Sequence, residues 1–177
     1  DEPAIISGLA NGLTTGAPLT IAFRNKDARP SDYALFADLP RPGHADFVAG
    51  KKFGGFSDLR GGGHFSGRHT LALVAAGTVA KKLVAPAEIT ARLVEAGGSP
   101  DIESAVRAAA EAGDSVGGVV ECRVRDLPAG LGEPFFDSVE SLIAHMMFSV
   151  PGIKGIEFGS GFACARMPGS VCNDRIL

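Results

Sequence analysis

Apolar and polar positions change period several times along the chain, and each change marks an element. In RHTLALVAAGTVAKKLV (Arg68–Val84), Leu71, Val74, Ala75, Thr78 and Val79 stand at i, i+3, i+4, i+7 and i+8 and share one helical face. Leu73 and Ala76 widen that face, which predicts a helix buried along most of its girth. Ile89–Ala96 alternates instead, with Ile89, Ala91 and Leu93 against Thr90 and Arg92, and reads as a strand. Ser99-Pro100 supplies an N-cap and a first-turn proline for a helix over Asp101–Ala112, stopped by Gly113. Gly117–Arg125 alternates again, placing Glu121, Arg123 and Arg125 on a face that meets solvent or another subunit. Val139, Leu142, Ile143, Met146 and Met147 mark a further helix ending before Pro151, with Asp137 and Glu140 as its capping pair. Ile153–Phe158 reads as a strand and Gly159–Leu177 mostly as loop. Upstream, Leu19–Arg24 is a strand between a glycine-broken apolar start and a polar loop, Asp27–Pro40. This mixture predicts an α+β or layered α/β domain. No repeat, linker or low-complexity tract divides it, so residues 1–177 read as a single domain.

Composition narrows the class. Hydrophobic residues make up 45% of the chain, enough for a core, and the net charge of −3 gives no general drive toward nucleic acid. No apolar run approaches the roughly 20 residues of a membrane span. The three cysteines, Cys122, Cys164 and Cys172, form no C-x-x-C pair, which favours buried, reduced thiols and gives no metal site. The first residue is Asp1 and nothing resembles a signal peptide, so the chain is expected to begin internally.

One stretch does not fit the periodic scheme. Arg41–Thr70 reads RPGHADFVAGKKFGGFSDLRGGGHFSGRHT and holds three of the four histidines, His44, His64 and His69. Its glycine content predicts neither helix nor central strand. Backbone N–H groups in such turns cradle anions, and arginine, lysine and imidazole add charge and a titratable donor. The helix that follows points its N-terminus at this loop, the end that favours a phosphate.

These strings resemble the chorismate synthase family. RPGHADF at Arg41–Phe47 and KKFGGFSDLRGGGHFSGRHT at Lys51–Thr70 match its RPGHAD, K-Y-G…R-G-G-G and S-A-R-E-T segments in order and spacing. TTGAPL, GDSVGGVVEC, LPAGLGEPFFDS and PGIKGIEFGSGF match further blocks, so the resemblance covers nearly the whole chain. It implies an α+β fold, a layered β-α-β sandwich with helices held between antiparallel sheets, assembled as a cytoplasmic homotetramer. The implied activity is that of a carbon-oxygen lyase in the shikimate pathway. It is the 1,4-anti elimination of phosphate from 5-enolpyruvylshikimate 3-phosphate to chorismate, with reduced FMN, and with NADPH where the enzyme reduces its own flavin. The resemblance makes His44 the catalytic proton donor, Arg41 and Arg68 substrate-binding, and His64, Phe65, Ser66, Val171 and Cys172 flavin contacts; no metal, nucleic acid or membrane is implied.

The chain also departs from the family pattern. Arginine, alanine and glutamate often stand where His64, Gly67 and His69 do, which leaves the roles of these histidines open and keeps a non-catalytic flavin- or phosphate-binding paralogue as the alternative. The segment between Val84 and Ile102 is short for the family. The family's G-E-S-H-G-like, N-H-A-G-G and K-P-T-like segments do not occur, so the chain is expected to be the central part of a longer protein.

Overall fold

The computed structural model describes residues 2–26, 29–58 and 63–174. The chain forms two compact units, Asp1–Ala76 and Gly77–Leu177.

The first unit opens with β1 (Pro3–Ser7), which pairs antiparallel with β4 (Thr20–Phe23) in the register Pro3↔Phe23, Ala4↔Ala22, Ile5↔Ile21. A bulge after Ile5 brings Ser7 opposite Thr20, and the Ser7 hydroxyl donates to the Pro18 carbonyl at 2.9 Å. Between them, β2 (Leu9–Ala10) and β3 (Leu13–Thr14) form a small hairpin. Asn11 and Gly12 turn it with φ of 51° and 79°, the two positive values a type I′ turn requires. The predicted strand at Leu19–Arg24 is β4, shorter by one residue at each end. The predicted loop from Asp27 to Pro40 is instead largely a 3-10 helix over Pro30–Ala37, with proline fixing its first turn. Asp27 itself lies outside the described residues.

Arg41–Thr70 was expected to hold no helix, and the structure corrects this. DFVAGKK folds as α1 (Asp46–Lys52), with Asp46 in its first turn and Lys51 and Lys52 in its last, each sign at the end that the helix dipole favours. The glycines flank this segment more than they interrupt it. A 3-10 turn (Gly67–His69) then leads into α2 (Thr70–Leu83), at the predicted place. No residue of α2 is buried, contrary to the expected burial along its girth; Val74 is 67% exposed.

In the second unit β5 (Glu88–Ala96) and β6 (Gly118–Arg125) pair antiparallel, Ile89↔Val124 and Leu93↔Val120 among them. A bulge between Leu93 and Glu95 brings the Glu95 carbonyl within 2.6 Å of where a β-carbon on Gly118 would stand, so only glycine fits there. α3 (Ile102–Glu111) lies against β5. Its cap is Asp101, whose Oδ1 accepts from Ser104 N at 3.2 Å, rather than the predicted Ser99. Ser99 Oγ is already used by the Asp101 N–H in the turn returning from β5. Similarly α4 (Val139–Met147) is capped by Ser138 through Ser141 N, and the predicted Asp137–Glu140 pair does not form the cap. Asp137 sits in the preceding 3-10 turn, where its carbonyl accepts from Glu133 N.

The predicted strand at Ile153–Phe158 pairs with no strand among the described residues; an extended run without a partner gains no ladder. The predicted terminal loop holds a 3-10 helix (Gly161–Arg166) and α5 (Gly169–Cys172). The cysteines were expected to be buried, yet Cys122 and Cys172 are exposed and Cys164 half-buried.

The expected core is also absent. Ala49 and Ala96 are the buried hydrophobic residues among those described, and no large side chain is fully buried. The inward face of a paired strand normally packs on a second layer. Here Leu93 and Val120, opposite each other on one face of the β5–β6 pair, are 43% and 61% exposed.

Gly8 supports a direct test of the first unit. It has φ +85°, and a β-carbon there would lie 2.6 Å from Leu19 Cα and 2.7 Å from the Pro18 carbonyl. Gly8→Ala is expected to cost roughly 1–3 kcal/mol. Gly50→Ala, inside α1 where a β-carbon meets nothing within 4 Å, serves as the control and is expected to stabilise by up to about 1 kcal/mol. Urea midpoints of the two variants compare them; equal midpoints would contradict the close approach.

Candidate active site

The site begins with a tight fold-back of six residues. Pro42 stiffens the chain, Gly43 takes φ +68°, and His44 N donates to the Arg41 carbonyl at 3.3 Å. This returns Asp46, the first residue of α1, to the side chain of Arg41. Asp46 Oδ2 accepts from Arg41 Nε at 2.7 Å and from the Arg41 backbone N–H at 3.1 Å, and Oδ1 accepts from Arg41 Nη2 at 2.9 Å. His44 Nδ1 lies 2.7 Å from the same Oδ1. The Asp46 side chain is only 3% exposed, so one buried carboxylate serves both basic residues.

The electrostatics follow from that sharing. The Arg41 guanidinium, bonded to Asp46, holds its carboxyl far below the usual carboxylate range, against the opposing effect of burial. Asp46 in turn pushes the guanidinium up. Arg41 also stacks on the 3-10 helix upstream, with its Cζ 4.5 Å from the Phe36 ring centroid and 5.8 Å from that of Tyr33. The segment expected to be a polar loop is thus the platform under the arginine.

His44 and Asp46 line a cavity of about 280 Å³ together with Phe53, Ser57, His64 and Phe65. Phe53 and Phe65 stack with centroids 6.3 Å apart at 28°. His64 meets both edge-on, at 6.4 Å and 5.5 Å, and the His69 ring lies 6.0 Å from it. The Ser57 hydroxyl is buried at this cavity without a hydrogen-bond partner among the described residues. The structure therefore brings His44, His64 and Phe65 together, with Arg41 behind them. It adds Asp46, Phe53 and Ser57, which the sequence reading did not assign. Only Asp46 carried a local signal, two residues after His44; Phe53 and Ser57 reach the cavity through the path of the chain after α1. Arg60 and the first two glycines of the R-G-G-G run lie outside the described residues.

Ser66 caps the turn before α2, its Oγ accepting from Arg68 N at 3.2 Å. His69 N donates to the Ser66 carbonyl and Thr70 N to that of Gly67, so these first amides are occupied within the turn. An anion here would engage the exposed Arg68 side chain rather than a ring of free amides. Val171 and Cys172 lie in α5, in the second unit, where the Cys164 thiol pushes that of Cys172 up.

A second cavity, of about 290 Å³, lies on the charged face of the β5–β6 pair. There Glu121 accepts from Arg92 Nε at 3.0 Å and Arg123 Nη2 at 3.1 Å, and the two arginines hold its carboxyl below the usual range. No sequence-predicted site residue falls there. Among the described residues no group of three or more His, Cys, Asp or Glu could hold a metal ion.

Removing the Arg41 side chain would leave the buried Asp46 carboxylate with the residue-41 backbone N–H and His44 as its partners and without the guanidinium charge. Because the folded-state pKa of Asp46 is depressed, its stabilisation is complete above the ordinary carboxylate pKa of about 3.9 and declines as pH falls below it. Arg41→Met is expected to destabilise the protein by roughly 2–4 kcal/mol at pH 7, below the figure for a fully buried pair because Arg41 is 27% exposed. The gap from wild type is expected to narrow between pH 5 and about pH 3, measured by urea unfolding at each pH. A gap independent of pH would show that the carboxylate is not what Arg41 compensates.

A family model described as chorismate synthase matches residues 1–177. A chorismate synthase from Chitinophaga pinensis is 62% identical over 178 residues, covering 100% of this chain and 54% of the relative. One from Korarchaeum cryptofilum is 44% identical, covering 99% of this chain and 57% of the relative. A crystal structure of chorismate synthase superposes with a TM-score of 0.75 at 28% identity, covering 98% of this chain and 60% of the other. The chain thus spans little more than half the length of these curated relatives. By its sequence over its full length, and by the mixed helices and antiparallel strands it shares with a solved member, the chain belongs to the chorismate synthase family.

Proposed function

We propose that this chain supplies the central part of a chorismate synthase, a carbon-oxygen lyase that converts 5-enolpyruvylshikimate 3-phosphate to chorismate and inorganic phosphate. The observation that carries the reading is the Arg41–Asp46–His44 cluster at a cavity walled by Phe53, His64 and Phe65. In the reaction the C–O bond to phosphate and the C6–H bond break, a new double bond forms, and nothing is oxidised overall. The substrate bears two carboxylates and a phosphate, which calls for guanidinium groups, and the family resemblance assigns that role to Arg41 and Arg68. His44 is a proton donor placed against a fixed carboxylate, the arrangement general acid–base work needs.

The lining of the cavity supports a flavin as its ligand. Stacked aromatic rings give a flat apolar wall, and the Ser57 hydroxyl is a polar group awaiting a partner. His64, Phe65 and Ser66 would hold the ring system; the family resemblance also assigns Val171 and Cys172 to flavin binding. Reduced FMN, when bound, supplies the electron-rich partner that the elimination requires. The chain's own residues bind the anions, wall out water and hold the proton at His44. NADPH is the reductant if the full enzyme reduces its own flavin.

The whole protein is read as a cytoplasmic homotetramer with a layered β-α-β sandwich, of which residues 1–177 are part of one domain. The apolar face of the β5–β6 pair is the kind of surface such layering and assembly would cover. Among the described residues no helix is long and apolar enough to cross a membrane. The non-catalytic paralogue is the weaker reading, because Arg41 and His44 both stand in a built cluster rather than a degenerate loop.

Two substitutions in the full-length enzyme test these roles. His44→Ala is expected to lower turnover by about 10²–10⁴ while flavin binding survives; wild-type turnover would remove His44 from the mechanism. Arg68→Ala is expected to weaken substrate more than flavin in calorimetric titrations, and a larger loss for FMN would show that the two sites are exchanged.

A further inference from the structure

We propose that Asp46 is the positioning residue for His44: its carboxylate fixes the neutral imidazole as the Nδ1–H tautomer and leaves Nε2 to exchange the proton. The catalytic half of this inference rests on the role proposed above for His44; the tautomer assignment rests on geometry alone.

The geometry leaves little freedom. Asp46 Oδ2 is occupied by the Arg41 Nε and backbone donors, and Oδ1 by Arg41 Nη2 at 2.9 Å and His44 Nδ1 at 2.7 Å. Arginine does not give up its proton in a protein, so a carboxylate bonded to it this way stays ionised and can only accept. The hydrogen on the 2.7 Å contact therefore belongs to His44 Nδ1. A competing arrangement exists, because Arg41 Nη2 lies 3.3 Å from the same nitrogen and would need its lone pair. Nη2 carries a second hydrogen, but that contact is longer and its acceptor neutral, and an unprotonated Nδ1 would set its lone pair against the buried Asp46 oxygen 2.7 Å away; the charge-assisted bond to the anion outweighs it. At 3% exposure of the Asp46 side chain, water does not compete. With Nδ1 committed, the nitrogen left to serve a ligand in the cavity that His44 lines is Nε2. A positioned base whose orienting carboxylate is lost adopts the wrong tautomer for part of the time, and turnover falls even though the base remains.

The test is long-range ¹⁵N–¹H NMR of the His44 ring in the full-length protein at a pH where the ring is neutral. The expected wild-type result is a pyrrole-like Nδ1 and a pyridine-like Nε2. In Asp46→Asn the Nδ1–H preference is expected to fall about tenfold or more, with turnover reduced by about 10²–10⁴ and partly restored in Asp46→Glu. A wild-type ring in the Nε2–H form would overturn the proposal without recourse to any variant, so poor folding of Asp46→Asn cannot shield it. An unchanged tautomer, or unchanged turnover, in a folded Asp46→Asn protein would overturn it as well. Unchanged turnover in His44→Ala would instead overturn the catalytic reading, while the tautomer result would still stand or fall on its own.

Discussion

A single buried carboxylate organises the first unit. Taking the charge of Asp46 out of water is costly unless it is paired and hydrogen-bonded, and here Arg41 supplies three donors and His44 a fourth. The compensation is local, because only four residues lie between Arg41 and Asp46 and closing so short a loop costs little chain entropy. What the loop cannot supply comes from upstream, where Phe36 and Tyr33 lie under the guanidinium. The position of the arginine is thereby set from both sides, by a carboxylate on one and aromatic faces on the other.

This explains how so short a helix as α1 can hold its place. Seven residues are too few to be helical in water on propensity alone. Asp46 anchors its first turn, and Ala49, one turn on, is among the few buried residues. The chain leaving α1 brings Phe53 against Phe65 and completes the aromatic wall. The polar corner and the apolar wall of the cavity are therefore two ends of one short element.

The sequence made much of this legible, and where it failed the reasons are physical. Strict alternation identified β5 and β6 and the 3.6 period identified α2 and α4, because those patterns follow from which face a side chain takes, while a serine-proline start and a glycine stop bracketed α3. Caps were misplaced where a nearby hydroxyl was already engaged, as with Ser99, or where the competing residue lay one position away, as with Ser138. α1 was missed because the glycines around it were weighed with the seven residues between them. Ile153–Phe158 has strand composition, yet composition does not provide a partner. At the site, RPGHAD announced Arg41 and His44 through residue type and spacing. Phe53 and Ser57 carry no such mark; they matter only because the fold delivers them to the cavity. Burial was the poorest inference, since a hydrophobic fraction says how much surface seeks cover and not where cover is found.

The charged face of the β5–β6 pair bears on the protein's resistance to aggregation. A two-stranded ribbon has an open hydrogen-bonding edge on each side, a template on which other chains can add strands and aggregate. Arg92, Glu121 and Arg123 form a bonded row across the ribbon. An incoming strand would have to accommodate fixed charge of both signs without disturbing those bonds. The row thus acts as a gatekeeper, tempering the solubility hazard of the apolar face behind it.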